Sequence, residues 1–245
     1  MKISGFTFIH NYSAGYPVRE AVKAIEPYVD EVVAVDMQST DGTRAVLESL
    51  GCRIIDGEWG TKAEFTLCKA HALHTECRHD QIIAFEADEV WDEKLLYTAV
   101  TMASNGFPSL AVHRLQVEQN FQRVRWYPEL VHRVFRKGQV HKDPARGHTT
   151  KEHESAVPIG PEHGFLWDAT NCFRDQFVAR AVQNSELWEQ EPNFKRVPIH
   201  SHMPVKQMSE EEIAAFLAEP HWTWKDTPLA IPEILRPLLG VTCYV

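Results

Sequence analysis

The sequence predicts an α/β fold in which a parallel sheet carries helices on both faces. Over roughly the first hundred residues, strand-like and helix-like patterns alternate four times, the pattern of successive βαβ units. The strand-like runs are short, apolar and rich in β-branched residues, as buried strands are.

Residues 3–9, ISGFTFI, read as the first strand. Pro17 opens a helix over PVREAVKAIEPYV, in which Val18, Ala21, Val22 and Ile25 recur at helical spacing. Residues 31–35, EVVAV, form the second strand. A polar loop, DMQSTDGT, leads into the helix TRAVLESL, which Thr40 or Asp41 can cap and Gly51 ends. Cys52–Ile55 is a third strand, TKAEFTLCKAHALHTE a third helix, QIIAFE a fourth strand, and DEKLLYTAVTMAS a fourth helix with Asp92 as its cap. After residue 107 the rhythm changes, and SLAVHRLQVEQ and ELVHRVFRKG alternate like antiparallel strands. Residues 138–164 are loop-like, and DATNCFRDQFVARAVQNSELWEQ is a long helix that Asp168 can cap. SEEEIAAFLAE is a short helix with a Ser209–Glu212 capping box. With no internal repeat and no flexible linker, residues 1–245 read as one domain with a C-terminal helical and irregular elaboration.

The 245 residues, 44% of them hydrophobic, suffice for one sizeable core. A net charge of −9 argues against general polyanion binding, although residues 133–151 are locally basic. Cys52, Cys68, Cys77, Cys172 and Cys243 are odd in number and form no C-x-x-C, which suits a reducing compartment rather than a disulfide framework or a zinc ribbon. The N-terminal apolar run is too short for a signal peptide, and no window reaches membrane-spanning length. These features point to a soluble, cytoplasmic protein, with action at a membrane surface left open.

In sheets of this kind, ligands sit beyond the carboxyl ends of the strands. The loops Asp36–Thr43 and Glu86–Asp92 follow the second and fourth strands directly and are expected to face one crevice. In QIIAFEADEVWDE, residues 81–93, an apolar strand runs into Glu86, Asp88, Glu89, Asp92 and Glu93. One reading is a solvated acidic loop that also favours the next helix N-terminus. The other is a site for a hard divalent cation, because E-x-D puts two carboxylates on one side of an extended backbone. In VVAVDMQSTDGT, Asp36 at the strand end can accept hydrogen bonds from a base or ribose, with Ser39 and Asp41 shaping the loop. No G-x-G-x-x-G follows the first strand and no G-x-x-x-x-G-K-[ST] occurs, which argues against dinucleotide and P-loop sites. The pairs His71/His74, His148/His153 and His200/His202 lack supporting ligands for zinc. Most tryptophans read as core, with Trp126 and Trp222 as candidates for stacking on a sugar or base.

DEVVAVDMQSTDGTRAVLESLGCRII, EWGTKAEFTLCKAHAL and IIAFEADEVW together resemble the family 2 glycosyltransferases. The resemblance is best over residues 1–105 and continues more weakly through ELVHRVFRKG, TTKEHES and LWDATNCFRDQFVARAVQNSELW. It implies a Rossmann-like GT-A fold, a mixed sheet with helices on both faces. Residues 1–105 would bind the nucleotide sugar, and residues 106–245 would form the acceptor side. It implies an inverting, metal-dependent hexosyl- or related transferase that uses a nucleotide diphosphate sugar. The acceptor stays open among a glycan, a lipid-linked sugar, a protein and a modified base, as does the oligomeric state. Asp36 would contact the donor base, and the first strand and its loop, from Phe8 through Asn11 to Tyr12, would line the nucleoside pocket. Asp88, assisted by Glu86, would hold Mn²⁺ or Mg²⁺.

Three positions depart from the family pattern. Glu86 replaces the first Asp of D-x-D. Cys68-Lys69 replaces Arg-Asn in the third helix, where Lys62 or Lys69 can still reach phosphate, a surface lysine being the ordinary reading. Asp168 stands where a metal-binding His is expected, as a third ligand or a helix cap. General-base candidates are Glu118, Glu129, Asp143, Glu152 and Glu154, with Glu154 in EHES the nearest match to the family stretch. A binding module without chemistry is the alternative, and a nucleotidyltransferase ranks behind it, because no Gly-rich basic loop follows the first strand.

Overall fold

The computed structural model describes residues 1–12, 16–58, 62–118, 123–125, 129–139, 156–171, 224–226 and 233–238. Strands β1 (Ile3–Ile9), β2 (Glu31–Asp36), β3 (Arg53–Asp56) and β4 (Gln81–Ala84) alternate with helices α1 (Val18–Ile25), α2 (Thr43–Ser49) and α3 (Lys62–Thr75). β1 pairs with β2 and β4, and β2 with β3, all in parallel. The expected βαβ rhythm is therefore present, and β1 lies at its centre.

All seven residues of β1 are buried. Phe6 and Phe8 share a core cluster with Val33, Val35, Ile82 and Leu73 of α3, whereas Ile3 and Ile9 belong to a second cluster with Val22 and Ile25 of α1. This is the two-residue period of a strand covered on both faces. Helix α1 sits directly on β1, because a Cβ at Gly5 would lie 3.1 Å from Ile25 Cγ2, and only glycine leaves that space. Each fully buried Ile or Leu contributes roughly 1.5–3 kcal/mol to this core.

Beyond β4 come β5 (Glu89–Trp91), α4 (Glu93–Ser104), β6 (Ser109–Glu118), β7 (Arg123–Arg125), β8 (Glu129–Arg136), β9 (Val157–Pro158), β10 (Leu166–Asn171) and β11 (Trp224–Asp226). β8 runs antiparallel to β4, and β6 antiparallel to β8. The main path through the sheet is β11-β7-β6-β8-β4-β1-β2-β3. The sheet is mixed, as the family resemblance implies, and β6 and β8 form the antiparallel pair expected from their alternation.

Three expectations change. Residues 89–91 form a short strand, because Glu89–Trp91 pairs antiparallel with Leu166–Asp168 of β10. Asp168 caps no helix: it lies within β10, which also pairs in parallel with β6. Leu166, Trp167 and Ala169 are buried there; ladders on both sides satisfy the backbone of Leu166 and Trp167, and the Ala169 N–H donates to the Asp88 carbonyl. Asp92 does stand at the N-cap position of α4, but its carboxylate makes no bond to the helix. Its Oδ2 instead accepts the Phe165 N–H at 2.8 Å. Of the long helix expected over 168–190, residues 168–171 belong to β10 and the rest lies outside the described residues, as do the helix expected over 209–219 and Trp126 and Trp222.

Cys52, Cys68 and Cys77 are free. Burial pushes the Cys52 thiol up to about 11 and that of Cys77 up to about 12, so both stay protonated and inert. No helix among the described residues is long and apolar enough to cross a membrane.

Candidate functional site

The two polar loops leave the same edge of the sheet. β1 is parallel to both β2 and β4, so the carboxyl ends of all three point one way. On the β2 side, Asp36 ends its strand almost fully buried. Its Oδ1 accepts the Ser39 N–H at 3.0 Å, and Arg44 Nη1 lies 3.5 Å from its Oδ2. Ser39 Oγ accepts the Asn11 N–H at 3.0 Å, and Asn11 Oδ1 accepts the Thr40 N–H at 2.7 Å. Asp41 Oδ1 accepts both the N–H of Thr43, at 3.0 Å, and its hydroxyl, at 2.6 Å. The Thr43 hydroxyl oxygen in turn accepts the Tyr12 N–H at 2.7 Å. Asn11 and Gln38 have φ of 54° and 58°. Left-handed backbone is uncommon outside glycine and gathers at ligand sites, where the surroundings hold it in place.

Asp36, Ser39, Asp41 and Asn11, which the sequence picks out for a nucleoside pocket, are thus gathered into one hydrogen-bonded frame. Phe8 lies beneath it, buried in the core cluster on the α3 face. Lys62 opens α3. Lys69, for which the ordinary reading is a surface lysine, instead reaches the crevice. Its Nζ lies 3.3 Å from Glu86 Oε1 and 5.9 Å from the centre of the Phe8 ring. One ammonium therefore lies beside both the Phe8 ring and the acidic loop.

The acidic side is not a solvated loop. Asp88 is 2% exposed and Glu89 is fully buried. Arg133 forks onto Glu89, with Nε 2.8 Å from Oε2 and Nη2 2.6 Å from Oε1. Arg114 Nη1 lies 3.3 Å from Glu89 and 3.4 Å from Asp168 Oδ2, and its Nη2 reaches Glu129. Burial by itself would raise the Glu89 pKa, but the Arg133 guanidinium, then Arg114, hold it down at about 2. Glu89, Arg114 and Arg133 are the residues that sequence reasoning missed as a group. The available signal was an arginine inside each of two apolar strands, AVHRLQV and ELVHRVF, since a buried guanidinium needs a carboxylate.

Among the described residues, no three His, Cys, Asp or Glu side chains are gathered closely enough to hold a metal ion by themselves. Mg²⁺ needs no such cage, since it commonly binds through one or two carboxylates and substrate phosphates. Asp88 and Asp168 are both buried, and the Ala169 N–H donates to the Asp88 carbonyl at 2.8 Å. Their carboxylates are hard oxygen donors on adjoining backbone, the chemical type that suits Mg²⁺ or Mn²⁺. Glu86 is engaged by Lys69, and Asp168 is shared with Arg114 and with Gln116 at 3.5 Å. Glu154 lies outside the described residues. A separate cavity of about 680 Å³, lined by Tyr28, Trp91, Asp92, Lys94 and Phe165 among others, shares no residue with this crevice.

Residues 16–153, more than half of the chain, match the family model described as glycosyl transferase family 2. An uncharacterized glycosyltransferase of Rickettsia bellii (strain RML369-C) is 33% identical over 94 residues, covering 38% of this chain and 30% of that one. One from Rickettsia felis (strain ATCC VR-1525 / URRWXCal2) is 34% identical over 94 residues, covering 38% and 31%. The alignments thus span about a third of these relatives. Among solved structures, glucosyl-3-phosphoglycerate synthase from Mycobacterium tuberculosis, in complex with Mn²⁺, uridine-diphosphate and glucosyl-3-phosphoglycerate, is similar at 19% identity. That match covers 47% of this chain and 44% of the synthase, with a TM-score of 0.37.

Proposed function

The chain belongs to glycosyl transferase family 2, and from that premise we propose that it moves a sugar from a nucleotide diphosphate sugar to an acceptor hydroxyl, with inversion and with Mn²⁺ or Mg²⁺. The observation that carries this reading is Lys69. Its ammonium lies 3.3 Å from Glu86 and 5.9 Å from the centre of the Phe8 ring, next to the strand that leads into the Asn11 loop. A nucleoside seated at Asp36 would direct its diphosphate towards this ammonium.

In this reading Asp36 accepts a hydrogen bond from the base, and the Asn11–Ser39–Thr40 frame fixes the wall against which the nucleoside lies. Lys69 turns from Glu86 to the diphosphate and places a point charge beside it. Asp88 and Asp168, with Glu86 once Lys69 releases it, would hold the divalent cation. When bound, that cation supplies Lewis-acid neutralisation of the departing diphosphate. Glu154 is the proposed base for the acceptor proton.

The test is donor hydrolysis and transfer with Mn²⁺, comparing the natural chain with Asp88→Ala. The expected result is loss of turnover with nucleotide binding retained, and equal activity in the two would sink the metal assignment. A second reading, a nucleotide-binding module without turnover, is favoured by one observation: Glu86 and Asp168 each already hold a cationic partner. Calorimetry with UDP, GDP and dTDP followed by a turnover assay separates the two, since tight binding with no turnover selects the second.

A further inference from the structure

We propose that Glu89 and Arg133 form a clamp that positions Asp88, and that Arg114 ties this clamp to Asp168. The proposal rests on the reading of Asp88 as the residue that meets the cation-bound diphosphate. Glu89 closes the loop before it twice. Its N–H donates to the Glu86 carbonyl at 3.1 Å, and its Oε2 accepts the Glu86 N–H at 3.0 Å. Ala87 and Asp88 are held between these two bonds. The fork from Arg133 then anchors the closing carboxylate to β8, and the bond from the Ala169 N–H holds the Asp88 carbonyl against β10.

A buried ion pair is a poor choice if packing is the only purpose, because apolar side chains of similar volume are often as stabilising or more so. An apolar pair, however, cannot accept the Glu86 N–H or fix the loop's angle. Mg²⁺ demands near-ideal octahedral geometry with oxygens at about 2.0–2.1 Å. A carboxylate at the tip of a short loop meets that demand only if the loop itself is rigid. Arg114, within 3.3 Å of Glu89 and 3.4 Å of Asp168, makes the two acidic segments one unit. Glu89 and Arg133 act through Asp88 and are positioning residues, not catalytic ones.

Two variants test the clamp. Arg133→Lys keeps the charge and loses the fork, and Glu89→Gln keeps the shape and loses the charge. Each is titrated with UDP, GDP or dTDP, whichever binds the natural chain most tightly, with and without Mn²⁺. Amide hydrogen exchange is followed over residues 86–89 and over β1 and β2. The expected result is nucleotide affinity without Mn²⁺ within about twofold of the natural chain, and a gain on adding Mn²⁺ reduced about 10-fold or more, as for other residues that orient metal ligands. Exchange at Ala87 and Asp88 should quicken by a similar factor while β1 and β2 keep their protection. A folded Arg133→Lys with an unchanged Mn²⁺ gain and unchanged exchange overturns the proposal. If Glu89→Gln does not fold, Arg133→Lys decides. If the natural chain itself gains nothing from Mn²⁺, the metal reading of Asp88 fails, and exchange alone then judges the clamp: faster exchange supports it and unchanged exchange overturns it.

Discussion

The two loops at the carboxyl edge of the sheet are built by opposite means. The loop after β2 is organised by neutral or singly charged hydrogen bonds, Ser39 to Asp36, Thr40 to Asn11 and Thr43 to Asp41, and Gln38, Thr40, Asp41 and Gly42 are exposed. The loop after β4 is organised by a buried carboxylate between two arginines, and Ala87, Asp88 and Glu89 are buried. In the first arrangement the bonds made by the exposed Thr40 and Asp41 tolerate loss, because water replaces the missing partner. The second does not, because removing one ion strands the other in the interior. The difference suits the proposed division of labour, with a base read by hydrogen bonds on one side and a diphosphate handled by charge on the other.

The comparison can be broken most forcefully at Arg133. Arg133→Ala is expected to destabilise the chain by about 3 kcal/mol, the low end for a broken buried ion pair, because Arg114 stays within 3.3 Å of Glu89, as read from urea unfolding. A loss below about 1 kcal/mol would mean that the two loops are equally forgiving. Acid should act in the same direction. The Glu89 pKa is lowered from 4.5 to about 2, so its contribution is complete above pH 4.5 and fades as pH falls towards 2. That contribution is on the order of 3 kcal/mol. Glu31 adds to the same trend: burial opposes ionisation there, but the Arg78 N–H, Ser4 and Arg53 together lower its pKa. In the folded range, the stability curve of Arg133→Ala should be flatter with pH than that of the natural chain.

Asp88→Asn separates function from fold. Turnover is expected to fall by about 100-fold or more, since even outer partners of metal ligands cost 10–100-fold when lost. The melting temperature should hold, because Asn keeps the shape of the side chain and the Glu89–Arg133 fork is left in place. The smallest effect is expected in the other loop. Asp41→Ala removes both bonds to Thr43 at the start of α2 and should cost about 1 kcal/mol, as loss of a helix-end acceptor does. Combined with Arg133→Lys, its effect should be additive, since Asp41 bonds to Thr43 in one loop and Arg133 to Glu89 in the other. Coupling between them would show that the loops are one structure.

Much of this could be read in the chain. Val18, Ala21, Val22 and Ile25 mark α1 by spacing, and all four are buried. Asp36, Ser39 and Asp41 were legible as a loop at a strand end because they lie within six residues of one another. What escaped were features without a local pattern. The three residues of β5 are too few to show a period. In LWDATN the apolar content reads equally well as a helix start, and only the presence of β5 on one side and β6 on the other makes it a strand.

The sequence by itself determined the alternating units, the parallel edge they create, and therefore that the Asp36 and Asp88 loops leave the same edge of the sheet. Those outcomes depend on periodicity and on the handedness of βαβ connections, which are local or nearly so. Only the tertiary structure decided which acids are exposed and which are paired. Lys69 meets Glu86 across 17 residues, Arg114 meets Asp168 across 54, and Arg133 meets Glu89 across 44. The charge on a side chain is written in the chain, but its partner depends on where distant strands come to rest, and burial makes that choice decisive.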